Sequence, residues 1–264
     1  MLEVADLRVR VAGRGLASYP VEDVGFRMRP GERLGLIGES GSGKSLTALA
    51  LMGLLPPGCT AAGSVRLDGT ELLTLDERAM RRVRGARMAM VFQDALTALN
   101  PLVRVGRQVA EPFRRHQGMS APAAARTAVG FLELVGFAEP AATARAYPVH
   151  LSGGQRQRVC IAMALACRPR VLIADEPTSA LDVTVQAEIL DLLDRVLDLE
   201  TDHRPSLLFI THDLAVVARS CERVLVLRDG RIIERGPTAS LLRDPAHEHT
   251  RALLADARAA GWNE

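Results

Sequence analysis

The chain has 264 residues, 48% of them hydrophobic and 24% charged, enough to bury a substantial core and to exclude wholesale disorder. Its 33 basic and 31 acidic residues leave a formal net charge of +2, too even a balance to imply nucleic-acid binding by itself. Aromatic residues make up only 3%, which also argues against a platform for stacked bases.

Four cysteines, Cys59, Cys160, Cys167 and Cys221, are scattered without a C-x-x-C pair. They read as small buried hydrophobes in a reducing compartment rather than as a disulfide or zinc framework. The longest nearly apolar stretch, Leu46 to Leu55, stops at Pro56-Pro57 after about half the length that a membrane-spanning helix needs. The first residues include Glu3 and Asp6, acids where a secretory signal carries bases. A soluble, cytoplasmic chain is therefore expected. Lys44 is its sole lysine among many arginines. A lysine is a compact point charge on a thin stem, so this position is expected to need that compactness.

In chain order, Leu2 to Val11 alternates well enough for an edge strand. Leu34-Gly35-Leu36-Ile37 reads as a short apolar strand, followed by a glycine-rich turn and a helical run from Lys44 to Leu54. Asp68-Gly69, between Val65-Arg66-Leu67 and Glu71-Leu72-Leu73, predicts a tight turn between strands. Met88 to Phe92 reads as a buried strand, and Val103 to Val135 as helical with a break around Gly118 to Pro122. Val171 to Ala174 and Leu207 to Ile210 resemble buried parallel strands. Between them Val185, Ile189, Leu192, Leu193 and Val196 mark one face of an amphipathic helix, with Asp182 as its cap. Asp229-Gly230 is a second hairpin signal. Strands alternating with helices predict an α/β fold with a parallel sheet, interrupted by an inserted helical subdomain over 94–158. The tail from 244 reads as a docking or partly ordered extension.

The segment Gly38-Glu39-Ser40-Gly41-Ser42-Gly43-Lys44-Ser45 fits G-x-x-x-x-G-K-S between a predicted strand and a predicted helix. Glycines let backbone N–H groups wrap phosphate oxygens, and the following helix points its positive end at them. Lys44 would reach the β- and γ-phosphates, and the Ser45 hydroxyl would ligate Mg²⁺. Leu151-Ser152-Gly153-Gly154-Gln155, ahead of a helical run, makes a second anion-binding nest far away in sequence. If each nest completes the other's site across an interface, two chains enclose two nucleotides. Asp175 and Glu176 end a buried apolar strand, at the sheet edge where ligands bind. Asp175 is expected to hold Mg²⁺ and Glu176 to polarise the attacking water. His212 follows the Leu207 to Ile210 strand, within reach of a γ-phosphate. Gln93, after the Met88 to Phe92 strand, fills the place of a polar ligand to Mg²⁺ or water.

Together these segments, with Ser179-Ala180-Leu181-Asp182, resemble the full motif set of an ATP-binding cassette (ABC) transporter ATPase. Phe92-Gln93-Asp94, Leu99-Asn100-Pro101, Tyr147-Pro148 and Pro245-x-His247-x-x-Thr250 are similar to the dipeptide/oligopeptide/nickel importer subfamily. The resemblance implies a P-loop (RecA-like) parallel-sheet core with an N-terminal antiparallel β subdomain, over 1–93 and 159–243. The inserted helical subdomain, 94–158, would carry the signature at its end, and 244–264 would be a C-terminal tail. It further implies a head-to-tail dimer closing on two ATP molecules. Leu151 to Gln155 would contact the ATP held by the partner's P-loop. Glu176 would be the general base, His212 the switch residue, and Asp182 a bridge between the sites. Gln93 would couple nucleotide state to a cleft that receives a short helix of the membrane subunit.

Implied partners are a second, related cassette, two transmembrane permeases and an extracytoplasmic solute-binding protein, with no nucleic acid. The implied place is the cytoplasmic face of the membrane and the implied solute a peptide, nickel or a nickel chelate. A nucleic-acid-associated or other non-transport ABC ATPase is the alternative. Tyr19 is the candidate for stacking on adenine. The chain departs from the subfamily at Ala95, where proline is usual, at His150, and at Glu248-His249, where Pro-Tyr is usual. Ending at Glu264 without a cysteine-bearing extension, it is most similar to the shorter nickel-type members. His247 and His249 are expected on a plain surface tail, and Arg78, Arg81, Arg82, Arg84 and Arg87 on a solvated helix face. Cys160 and Cys167 are expected to be packing residues.

Overall fold

A computed structural model describes residues 1–12, 18–179, 181–198, 204–259 and 262; Ala180 of the Ser179 to Asp182 motif lies outside them. The strands are β1 (Leu2–Val11), β2 (Ser18–Met28), β3 (Arg33–Ile37), β4 (Cys59–Leu67), β5 (Thr70–Glu71), β6 (Met88–Val91), β7 (Val171–Asp175), β8 (Ser206–Thr211), β9 (Arg223–Arg228) and β10 (Arg231–Pro237). The helices are α1 (Lys44–Leu51), α2 (Glu77–Val83), α3 (Ala95–Ala98), α4 (Val105–Gln117), α5 (Ala121–Leu134) and α6 (Pro140–Arg145). They continue with α7 (Gly153–Leu165), α8 (Val183–Asp198), α9 (Leu214–Ser220), α10 (Thr238–Arg243) and α11 (Glu248–Ala259). The chain divides into two compact units, Met1–Met80 with Ser206–Glu264, and Arg81–Pro205.

The first unit holds an antiparallel sheet in the order β2-β1-β4-β5. The expected edge strand is therefore interior: β1 pairs with β2 on one side and β4 on the other. Its apolar pattern explains why. Leu2, Val4, Leu7 and Val9 are buried, and the two pairs are out of phase by one residue. The register slips between Val4 and Leu7, where Asp6 takes a left-handed conformation with φ 49°. That bulge returns Leu7 and Val9 to the core face. The Asp68-Gly69 hairpin forms as expected, with Leu67 opposite Thr70. The same unit contains β3, parallel to both β8 and β9, and β10 antiparallel to β9 across Asp229-Gly230. Leu34, Leu36, Ile37, Leu208, Ile210 and Leu225 are essentially buried, each worth about 1.5–3 kcal/mol relative to exposure. At the start of β3, Glu32 is 6% exposed. It accepts the Arg29 N–H at 2.7 Å and faces the Arg223 guanidinium at 3.1 Å, so a buried carboxylate is matched by donors.

The tail from 244 contains α11, on which Thr250 and Leu254 are buried. His249 is 6% exposed, so the surface-tail expectation fails for it. The turn before α11 is tied to β10, because the Glu234 carboxylate accepts the N–H groups of Ala246 and His247 at 2.8 and 3.1 Å. Burial raises the Glu234 pKa, but the nearby Thr250 side chain and the N–H groups of Ala246 and His247 outweigh it and hold the carboxyl below its ordinary range.

In the second unit β6 and β7 run parallel, Met88 opposite Val171. The helical stretch breaks where expected: α4 ends at Gly118, whose φ is 65°, and α5 starts at Ala121. Phe113 and Phe131 meet edge to face with centroids 5.0 Å apart. Cys160 is buried, and burial followed by the nearby Asp94 charge pushes its thiol up to about 12. It is a packing residue with no thiolate character. Cys167 is half-buried and donates to the Pro112 carbonyl at 3.5 Å. Arg78, Arg81 and Arg82 are exposed, whereas Arg84 and Arg87 are half-buried. No described helix is long and apolar enough to cross a membrane.

Candidate functional site

In the first unit the phosphate-loop segment 38–45 links β3 to α1. Two of its glycines are required by close approach. A Cβ on Gly43, at φ 105°, would stand 2.4 Å from the Pro20 carbonyl, and one on Gly38 would stand 2.2 Å from the Leu227 carbonyl. Thus β2 and the end of β9 press on the loop from its own unit. The Gly230 N–H also donates to the Ser42 carbonyl at 3.0 Å. Gly41 is exposed, with open space where a Cβ would stand.

Lys44 is 5% exposed, and its ammonium donates to the carbonyls of Gly38 and Glu39 at 2.7 and 2.8 Å. A thin, compact cation fits there; a guanidinium fork does not. The buried Ser42 hydroxyl has no hydrogen-bond partner among the described residues, a polar atom of the kind an oxyanion satisfies. Ser45 sits half-buried in the first turn of α1. Tyr19 is 49% exposed, one residue before the Pro20 carbonyl that abuts Gly43. His212 is exposed directly after β8. The next residue, Asp213, caps α9 by accepting the Ala215 N–H at 2.8 Å.

In the second unit Asp175 is 4% exposed at the end of β7. Glu176 follows at φ 44°, a left-handed conformation that costs a non-glycine residue about 1–3 kcal/mol. That turn is held locally, since the Ser179 hydroxyl and N–H donate to the Glu176 carbonyl at 3.1 and 3.3 Å. The Gln93 amide nitrogen donates to the Glu176 carboxylate at 3.2 Å. Two residues selected 83 positions apart are thus side by side.

The segment 151–155 starts α7. Ser152 and Gln155 form a reciprocal cap: the Ser152 hydroxyl accepts the Gln155 N–H at 3.3 Å, and the Gln155 side chain accepts the Ser152 N–H at 3.0 Å. This capping role of Ser and Gln is legible in the spacing S-x-x-Q but is absent from the anion-nest reading. Ser152, Gly153 and Gln155 are exposed, and Leu151 is buried. Gly154 is buried for another reason. A Cβ there would lie 2.4 Å from a Val185 methyl on α8. Nothing local in the sequence announces that contact. Because Val185 is β-branched and stiff, Gly154→Ala is expected to lower stability by about 1–3 kcal/mol. A calorimetric melting temperature unchanged from wild type would refute this packing reason. Asp182 is exposed and accepts the Val185 N–H at 3.0 Å, the expected cap of α8.

The ABC transporter family profile matches residues 21–179. The chain belongs to the ABC transporter family. It is 49% identical, over 97% of its length, to the peptidoglycan transport ATP-binding protein YejF of Agrobacterium fabrum, but spans only 46% of that protein. It is 46% identical to the dipeptide transport ATP-binding protein DppD of Haemophilus influenzae, covering 96% of this chain and 76% of that one. The oligopeptide transport ATP-binding protein OppD of Salmonella typhimurium is 47% identical over 96% of this chain and 75% of its own. Among solved structures, a dimeric ATP-binding cassette in a post-hydrolysis state with ADP and Pi superimposes at a TM-score of 0.79. It is 29% identical and covers 90% of this chain and 99% of that one. The fold is accordingly the α/β fold of an ABC cassette, with an N-terminal antiparallel sheet and a parallel-stranded core. Its family makes it a nucleotide-binding protein.

Proposed function

We propose that this ABC cassette is the ATP-hydrolysing subunit of an importer that moves peptides inward across the cytoplasmic membrane. One observation carries the reading. The chain bears a phosphate loop around Lys44 in one unit and an exposed Ser152-Gly153-Gln155 edge in the other, the two halves that a head-to-tail pair of cassettes brings together. The peptide-transport names of DppD and OppD support the solute class.

In this reading Gly38 to Ser45 hold the phosphates of ATP, and Lys44 exchanges the loop's own carbonyls for β- and γ-phosphate oxygens. Tyr19, exposed beside the loop, stacks on adenine. Ser45, Gln93 and Asp175 offer a hydroxyl, an amide oxygen and a carboxylate, the hard oxygen donors that suit Mg²⁺. When bound, Mg²⁺ neutralises charge on the β- and γ-phosphates. Gln93 orients the Glu176 carboxylate, which takes a proton from the attacking water. His212 contacts the γ-phosphate, Ser152 to Gln155 close on the partner's ATP, and Asp182 links the two sites.

The partners are a second, related cassette, two permeases and an extracytoplasmic solute-binding protein. Attachment to the cytoplasmic face of the membrane runs through the permeases. Two features of the second unit support a docking place for a permease helix. Phe92, Leu96 and Leu102 are exposed apolar side chains around Gln93. A groove of about 550 Å³ lies between α4, α5 and α6, floored by Ala110 and Ala125 and rimmed by Arg104, Arg107 and Arg145.

The test is purification of the tagged chain from membranes of its own host, followed by solute binding to the co-encoded binding protein. Recovery with two permeases and a second cassette, and binding of short peptides, is the expected result. Binding of nickel or its chelates instead would replace the solute and keep the ATPase. Recovery only with ribosomes or DNA would overturn the transport reading.

A further inference from the structure

We infer that His249, on the C-terminal helix, is a positioning residue that braces the phosphate loop at Glu39 and so sets nucleotide affinity. The inference deepens the proposed function and rests on its reading of residues 38–45 as the nucleotide site. Three observations converge on it.

First, His249 does not sit loosely. Its N–H donates to His247 Nδ1 at 3.1 Å, and Ala246 and His247 are themselves held by the Glu234 carboxylate on β10. The Arg251 guanidinium closes the same turn by donating to the carbonyls of Pro245 and Ala246 at 3.0 and 2.9 Å. A turn so tied gives the imidazole a fixed origin.

Second, the ring is aimed at the loop. His249 is 6% exposed, and its Nδ1 lies 3.7 Å from a Glu39 carboxylate oxygen. Its Nε2 is buried with no hydrogen-bond partner among the described residues. A buried imidazole with one unsatisfied nitrogen is costly as mere filler.

Third, Glu39 is one of the two residues, with Gly38, through which the loop holds its lysine. Its carbonyl accepts from Lys44 Nζ at 2.8 Å and from the Ser42 N–H at 3.2 Å. Its side chain is otherwise largely exposed at 66%. His249 Nδ1 faces that carboxylate across 3.7 Å, a polar approach longer than a hydrogen bond, and it restrains residue 39 while Lys44 transfers from carbonyl to phosphate. Holding a binding loop in its working shape before the ligand arrives raises affinity. The tail thereby acts on nucleotide binding without touching nucleotide.

The experiment is titration of a fluorescent ATP analogue against the full chain, with melting temperatures recorded for each variant. His249→Ala is expected to weaken binding about three- to fivefold, the upper end for a part-exposed polar pair. Glu39→Ala should lose a similar factor. The double variant should be no weaker than the weaker single one, because both remove the same contact. His249→Phe fills the space without a polar atom and should bind as weakly as His249→Ala. His249→Asn, whose amide nitrogen takes the place of Nδ1, should recover to within about twofold. Wild-type binding by His249→Ala or His249→Phe would overturn the brace, the latter showing that only volume matters. Losses that multiply in the double variant would overturn it as well. If His249→Ala fails to fold, the phenylalanine and asparagine variants decide alone. Lys44→Ala separates the two readings: wild-type affinity in that variant brings down the nucleotide site itself, whereas its loss of binding leaves the brace to be judged by the His249 series.

Discussion

Glu176→Gln is expected to cut ATP turnover by about 10²–10⁴-fold, the range of a lost general base, while ATP binding persists. The substitution keeps size and a hydrogen-bond acceptor, so the Gln93 amide nitrogen, now 3.2 Å from the carboxylate, retains a partner. What disappears is the negative charge and the site for the proton of the attacking water. The left-handed backbone at Glu176, with φ 44°, is held by Ser179 and is indifferent to this change of side chain. ATP should therefore accumulate unhydrolysed between two cassettes, and size-exclusion chromatography with ATP and Mg²⁺ should show a stable dimer. Turnover equal to wild type would remove Glu176 from the role of base. Loss of ATP binding would instead show that the substitution disturbs the fold.

Lys44→Ala is expected to weaken ATP binding by at least about 100-fold. The lysine's cationic donors would each contribute about 1.5–3 kcal/mol as charge-assisted hydrogen bonds to phosphate oxygens, and two such contacts account for that factor. The protein itself should fold. Lys44 bonds backbone carbonyls of its own loop at 2.7 and 2.8 Å, and the space that alanine leaves beside exposed Glu39 and Ser40 should admit water to those carbonyls. Isothermal titration with ATP, alongside a melting curve, distinguishes the two effects. Lys44→Arg should not rescue, because the site is 5% exposed and the fork is too broad for it. Tight binding by the arginine variant would refute the argument from compactness.

Both predictions draw on positions that local pattern already marked. The turn 38–45 needs glycine where backbones approach, an apolar strand before it and a helix after it, and all three requirements lie within about twenty consecutive residues. Asp175-Glu176 after Val171 to Ala174 and the hairpins at Asp68-Gly69 and Asp229-Gly230 are equally local. Such features are legible because the physics that demands them, positive φ, alternation or capping, acts over a few residues. The Asp182 cap of α8 and the break between α4 and α5 were read for the same reason.

Other features have no local cause. An alternating strand looks the same at an edge or between two neighbours, so β1 read as an edge until β2 and β4 flanked it. The phase slip at Asp6 becomes meaningful only once both partners demand Leu7 and Val9 in the core. Gly154 looks like part of an anion nest, yet its neighbour is Val185, brought there by packing of α7 and α8. His249 sits in a polar tail by composition, but β10 and Glu234 anchor that tail and bring its imidazole to Glu39, 210 positions earlier. Sequence alone determined the family, and it marked the phosphate-loop motif and the residues proposed to carry its chemistry, because glycines, caps and charged groups at fixed spacing are conditions met within one turn or strand. Tertiary structure alone decided which distant segments press on those residues. Steric exclusion and satisfaction of buried polar groups depend on neighbours that no short stretch of sequence names.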